Sequence, residues 1–292
     1  MVGFNVAARA GALLSALILG GLLAVPVQAH AQDTGKPLYE VEAVGLVGYT
    51  PDYPGSSQMH AHFLPLPWLS YRGSFLRTDQ QGSVQGRLVE TPRFGLDLSV
   101  QGAFPVSSTD NTARDGMPDL DWIGEAGPKA RFTLHRWVNE ATAHTARVNL
   151  ELPVRGVFST DLSSITYRGL IASPAITYDN NKILGGRLKL SLGAMFGTEE
   201  LTGYFYDVDP AHATAARPAY DSRAGYMGMR AGLGLSVPVG DRVTVMGKST
   251  FDLFDGSANA DSPLMKSTTN VGVMLGMSVS LYRSARIASS ER

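Results

Sequence analysis

The sequence contains no cysteine. That excludes thiol chemistry, a thiolate metal site and a disulfide framework. It also fits a chain that crosses a periplasm unfolded. An excess of either charge is lacking too. Lysine and arginine total 25 against 26 aspartates and glutamates, for a formal charge of −1 at pH 7. No basic excess exists to hold nucleic acid, so no nucleic-acid partner is expected. After the first 31 residues, no apolar run is long enough for a helical membrane span.

The N-terminal stretch is different. Arg9 is its one charged side chain, and mostly apolar, uncharged residues run from Gly11 to Val27. Ala29-His30-Ala31 supplies a small-x-small cleavage site. Residues 1–31 therefore read as a secretory signal peptide, with residues 32–292 as the mature domain. A retained membrane anchor is the competing reading. The short apolar run and the cleavage site favour removal.

What the mature chain does have is alternation. In "NVGVMLGMSVSLY", Val271, Val273, Leu275, Met277, Val279 and Leu281 face one way, and Asn270, Gly272, Met274, Gly276, Ser278 and Ser280 the other. That is the period of a β-strand. "RFGLDLSVQ", "RVNLELPVR", "RLKLSLGAMF", "RAGYMGMRAGLGLSV" and "RVTVMGKSTFDLF" repeat it. In the fifth of these six stretches, Met227 and Met229 fall on the apolar face. A soluble sandwich alternates as well. Here the polar faces are rich in glycine and serine, which suits a crowded interior. The strands are also about 10–15 residues long, roughly twice the soluble mode, and long enough to cross a bilayer when tilted. Backbone groups in hydrocarbon must all be paired, so such a sheet must close. The expected fold is all-β, a closed antiparallel transmembrane β-barrel.

The candidate strands are 38–49, 62–71, 73–79, 83–90, 93–105, 122–135, 142–157, 164–178, 184–198, 222–238, 241–254 and 269–283. That makes about twelve, or ten if the turn "YRGS" at 71–74 is absent; both are even, as bacterial barrels require. "YRGS", "VETPR", "HRWVNEA", "DNNK" and "PVGD" form short turns on one side. The segments 50–61, 106–121, 158–163, 199–221 and 255–268 fall on the other, with the short "DQQ". Short turns belong in the periplasm, with both termini, and long loops outside. Pro51 and Pro54 thus break the first strand at the outer surface, where no ladder hydrogen bonds are needed.

"PDYPGS", "LPLPWLSYRG", "GMPDLDWIGEAGPKARF", "ELPVRGVF", "YFYDVDPAHATAARPAYDSRAGY" and "DGSANADSPLMKS" together carry a resemblance. With them the chain resembles the MltA-interacting protein (MipA)/OmpV family of Gram-negative outer-membrane proteins, over nearly all of the mature sequence. The resemblance implies an outer-membrane location and contact with outer-membrane lipid. It implies a non-enzymatic role with no cofactor. The family's founding member is a scaffold that holds a murein lytic transglycosylase beside a murein synthase, so murein hydrolase and synthase in the periplasm are the implied partners. Other members are described as immunogenic surface proteins, adhesins, or factors in drug and osmotic response. One departure stands out. The family closes on an aromatic residue read by the barrel-assembly machinery, whereas here Tyr282 is followed by "RSARIASSER". The assembly signal is then internal or weak.

Chemistry-bearing groups are sparse. His60 and His62 share a strand face at the outer rim and can in principle share a metal; no third ligand stands near them in sequence, and they read as polar rim residues. His135, His144 and His212 have no nucleophile at a telling spacing. Asp119, Asp121 and Glu125 can bind a hard cation, but a solvated turn explains them as well. No catalytic residue, metal ligand or cofactor site is assigned.

The lumen-facing charges are Arg93, Arg131, Arg147, Arg155, Arg187, Lys189, Arg230, Arg242 and Lys248, with Asp97, Glu151 and Asp252. The loops instead carry Asp52, Asp110, Asp115, Asp119, Asp121, Asp207, Asp209, Asp255 and Asp261. The expectation is that acidic loops fold into a basic mouth, giving either an ion-paired plug or a small anion-preferring pore. Tyr204, Phe205 and Tyr206 stand in the longest outer loop. They are either a loop packing on itself or a contact surface for a partner or host molecule. Three functions follow: scaffold, small-solute pore and surface adhesin.

Overall fold

The computed structural model of the chain describes residues 37–71, 76–78 and 84–287. The expected signal peptide and most of the "YRGS" turn lie outside them. Among the described residues, thirteen strands form one antiparallel sheet: β1 Tyr39–Pro51, β2 Met59–Tyr71, β3 Leu76–Thr78, β4 Val84–Glu90, β5 Phe94–Ala103, β6 Trp122–Asn139, β7 His144–Thr160, β8 Ile165–Ala172, β9 Ala175–Ile183, β10 Gly186–Gly197, β11 Gly225–Val239, β12 Val243–Leu253 and β13 Thr269–Arg283. No helix of the described residues is long and apolar enough to cross a membrane.

The ladder runs β2-β1-β13-β12-β11-β10-β8-β7-β6-β5-β4-β3. The first strand thus pairs with the last, from Glu40↔Arg283 to Tyr49↔Val273. β8 and β9 each pair with both β7 and β10. They are two halves of the single strand expected at 164–178. The break falls at Pro174, which has no N–H to give to a ladder. Ser173 N–H donates to the Pro153 carbonyl at 3.1 Å, and Ala194 N–H to the Pro174 carbonyl at 3.0 Å, so the neighbours stay attached. A Cβ on Gly193 would come within 2.4 Å of that carbonyl oxygen, so this approach requires glycine.

Burial along β7 shows which solvent the sheet is built for. Glu151, Arg155 and Ser159 are buried while Leu152, Val154 and Phe158 are exposed. Phe63, Ile176, Leu192 and Leu281 on other strands are also exposed. Held in water, each such side chain would forgo about 1.5–3 kcal/mol of burial free energy. An outer face this apolar fits hydrocarbon.

Two turns differ from expectation. "DNNK" is not a turn, since β9 continues to Ile183. The chain reverses instead at Leu184 and Gly185, both at positive φ (52° and 75°). A two-residue hairpin turn of this kind favours Asn-Gly, so Leu184 hid it. β6 likewise runs through Trp137 to Asn139, and the turn there occupies Glu140–Ala143.

Candidate functional site

Two structures meet inside the sheet: a charged lumen and a cap of loops over the long-loop end. The cap contains most of the buried apolar cluster. Tyr53, Val106, Met117, Leu120, Leu201, Phe205, Tyr206, Val208, Phe254 and Leu264 come from or border four loops. The largest loop contains a two-turn helix, α1, Glu199–Tyr206. Two glutamates in its first turn suit the positive helix N-terminus. Leu201 and Thr202 repeat four residues on as Phe205 and Tyr206, and all four are buried.

Hydrogen bonds tie the loops to each other. Tyr53 donates to the Leu264 carbonyl at 2.9 Å, and Tyr206 to the Pro54 carbonyl at 3.0 Å. Burial pushes the Tyr53 hydroxyl up to about 12 and the Tyr206 hydroxyl up as well, so both stay protonated donors. Asn270 accepts from Gly55 N–H at 2.8 Å and donates to the Ser56 carbonyl at 2.7 Å. Gly55 has φ +84°, where an L side chain is strained, and a Cβ there would sit 2.0 Å from the Met265 sulfur and force that side chain to move. Arg114 and Arg217 are buried struts. Arg114 donates to the Phe205 and Pro118 carbonyls, and Arg217 to those of Ala113, Asp115 and His212.

The loop acids therefore do not fold into a basic mouth as expected. They are occupied within the cap or stay at its surface. Asp52 holds Asn111 at 2.6 Å and His60 at 2.6 Å. Asp119 accepts from Ser108 N–H at 2.6 Å, which holds its carboxyl below the usual carboxylate range. Asp207 accepts from Ser222 N–H at 2.7 Å. Asp121 accepts from Ser159 at 3.3 Å, 3.9 Å from Arg168. Asp110, Asp115, Asp209, Asp255 and Asp261 are exposed.

The lumen cations pair with acids on the strands instead. Arg230 and Asp252 face each other across β11 and β12 in a two-pronged pair, both bonds 2.6 Å. Lys189 lies 2.9 Å and Lys129 3.7 Å from Glu151. Arg155 lies 2.8 Å from Glu125, and Arg131 3.7 Å from Asp97. Lys129 was missed in the sequence, although it shares the parity of Arg131. Arg147 is half-buried. Arg93 and Arg242 lie in exposed turns and Arg187 is exposed near the start of β10, so these three sit at the short-turn rim, away from the central cavity. That cavity has a volume of about 380 Å³. Glu151, Arg155, Lys189, Arg230 and Lys248 line it, with Lys129, Glu125 and, on β1, Glu42.

Phe205 and Tyr206 are buried, and the half-buried Tyr204 accepts from Asp121 N–H at 2.7 Å beneath the Arg168 guanidinium, 4.3 Å from its ring centre. The loop packs on itself, so this trio does not form an open contact surface. Met227 is also in the cap, not on the lipid face. A bulge opposite Met195 and Phe196 shifts its parity by one.

The other candidates disperse. His60 bonds Asp52, while His62 stacks on Phe104 at 4.2 Å. His135 packs against Trp137, His144 bonds Asn180, and His212 lies 4.0 Å from Asp209. Asp119, Asp121 and Glu125 have three different partners. Among the described residues, no group of three or more His, Asp or Glu side chains converges as a metal site would.

The segments quoted above for their family resemblance include most of this cap. The family model described as "MltA-interacting protein MipA" matches residues 44–281. The chain belongs to the MipA family. That family is generally non-enzymatic, and this MipA-family chain is an outer-membrane protein. No curated protein matches it. Among solved structures it is similar to the NanC porin, at 6% identity over 82% of this chain and 100% of that one, TM-score 0.35. It is also similar to outer membrane phospholipase A from Escherichia coli, at 12% identity over 86% and 94%, TM-score 0.32. A bacterial polysaccharide outer membrane secretin is similar at 10% identity over 84% and 99%, TM-score 0.34.

Proposed function

We propose that this chain is exported by residues 1–31, closes into a barrel of twelve strand positions, and serves without catalysis as a docking scaffold for peptidoglycan-remodelling enzymes. A murein lytic transglycosylase and a murein synthase are the partners. Closure joins β2 to β3, the two ends of the ladder and consecutive in the chain. The family's name supports the first partner.

The observation that carries the docking reading is the β6–β7 hairpin. β5 accompanies β6 only as far as Phe132, so His135–Asn139 extend past it at the short-turn end. Leu134, Trp137 and Val138 are exposed there. Short turns face the periplasm, where both enzymes work. The C-terminal tail is less available: Leu38 N–H donates to the Arg286 carbonyl at 2.7 Å, which ties the tail to the start of β1. Cross-linking from position 140, in the exposed turn beside Trp137 and Val138, captures the transglycosylase in intact cells, and the double substitution Trp137→Ser, Val138→Ser abolishes capture. Unchanged capture with the barrel intact contradicts the proposal.

The pore is the second reading, favoured by the cations lining the cavity. The cap opposes it by filling the long-loop end with packed side chains. Planar-bilayer recording separates the two: steady, anion-preferring conductance supports the pore, and silence supports the scaffold.

A further inference from the structure

We infer that the lumen cavity is a binding site for an amphiphilic monoanion, an apolar body with one carboxylate or phosphate head. Its wall has two unlike halves. On β1, β2, β12 and β13 it is mostly apolar, with Leu46, Leu66, Trp68, Met246 and Met274 facing in; its two charged residues are Lys248 and Glu42, the latter accepting from the Ser70 hydroxyl at 2.6 Å. On β6, β7, β10 and β11 it is charged. A cavity that only held water would have no use for an inward-facing tryptophan and methionines. Ligand sites typically combine such apolar lining with a few placed polar groups.

The cation on the mostly apolar half is Lys248. Each other lysine or arginine of the cavity wall has an acidic partner: Glu151 for Lys129 and Lys189, Glu125 for Arg155, Asp252 for Arg230. Lys248 makes no hydrogen bond or ion pair among the described residues. The register explains this. Its neighbours across the ladder are Gly234 on β11 and Met274 on β13, and neither offers a carboxylate. Met246, two residues earlier on the same face of β12, lines the same cavity with apolar surface. An anionic head on Lys248 and a tail along Met246, Met274, Leu46 and Trp68 fill both halves at once. The volume of about 380 Å³ is within the usual range for a small-molecule pocket. The site is independent of the docking hairpin, which lies at the rim.

The ligand has two possible sources, a membrane-derived fatty acid or lysophospholipid, and a soluble organic acid. The test uses the full mature chain in nanodiscs of uncharged phospholipid, with Trp122→Phe and Trp137→Phe leaving Trp68 as the fluorophore. Titration with 8-bromooctanoate quenches Trp68 saturably. Lys248→Met weakens that binding about tenfold or more, as loss of a charge-assisted contact should, and Lys248→Arg retains it. Displacement by dodecanoate identifies a membrane-derived ligand and displacement by phenylacetate a soluble acid; either supports the site. The inference is overturned by quenching that never saturates, by equal binding in Lys248→Met, by equal binding of neutral 8-bromooctanol, or if neither acid displaces the probe. Displacement by inorganic phosphate as effective as that by dodecanoate also overturns it, because the apolar half would then contribute nothing.

Discussion

Phe63 and Tyr206 are both large aromatic residues, and the protein treats them in opposite ways. Phe63, on β2, is 69% exposed on the outer face of the sheet. Tyr206, at the end of α1, is 0% exposed in the cap. The sheet and the cap sit in one chain yet obey different solvents. In the sheet, apolar side chains point out and Glu151, Arg155 and Asp252 point in. In the cap, apolar side chains turn inward and exposed acids stay outside, as in any water-soluble domain. The sheet therefore specifies a membrane, and the cap specifies a small aqueous core built on top of it.

The sharpest way to break this contrast is to truncate both aromatics. Tyr206→Ala leaves a cavity and an unmet Pro54 carbonyl, and destabilises the cap by about 3–5 kcal/mol. Phe63→Ala opens no cavity and is expected to lose only about 1 kcal/mol of lipid transfer. Limited proteolysis of the loops on intact cells reads the first, and urea unfolding from bilayers reads both. Equal losses would erase the distinction.

A smaller effect is expected from charge on the lipid face. Leu192→Arg, near the middle of β10, should destabilise the folded protein by about 2–4 kcal/mol in the same unfolding assay. A neutral outcome would mean that this face meets water. Next comes the lumen pair. Asp252→Ala strands Arg230 beside Lys248 and loses about 1–3 kcal/mol, discounted because the Arg230 side chain is 41% accessible to lumen water. Removing both partners should be less damaging than removing Asp252 alone.

The smallest effect is one of pH, and it belongs to the cap. The Ser108 N–H lowers the Asp119 carboxyl from its ordinary value of 3.8. A depressed carboxylate contributes stability above its ordinary value and loses it as pH falls below. Loop proteolysis should be flat between pH 7 and 5 and rise only below about pH 4. A rise already near pH 6 would point to histidine and away from Asp119.

How much of this could be read from the sequence depended on the solvent each part obeys. Strict alternation, as in Asn270–Tyr282, betrays a lipid-facing strand because the bilayer imposes one rule along its whole length. β2 broke that rule. Leu64, Leu66 and Trp68 face in while Phe63 and Leu69 face out, so both faces are apolar and the half-apolar lumen went unseen. Strand β8–β9 looked continuous because only Pro174 marks its break. The cap was legible only in pieces. Thr198-Glu199-Glu200 followed by apolar residues four apart is a helix-start signal, but among prolines and aspartates it read as loop. The paired charges of the lumen were found by parity. Their partners were not, since cross-strand register cannot be read from one strand at a time.

The central claim is that oily residues of the sheet meet lipid while the opposite face looks into a lumen. Brominated phospholipid tests it most directly, in two single-tryptophan versions of the chain: one keeping only Trp68, the other carrying Leu192→Trp as its sole tryptophan. The account predicts strong quenching at position 192 and little at Trp68. Strong quenching of Trp68 with none at position 192 would contradict it.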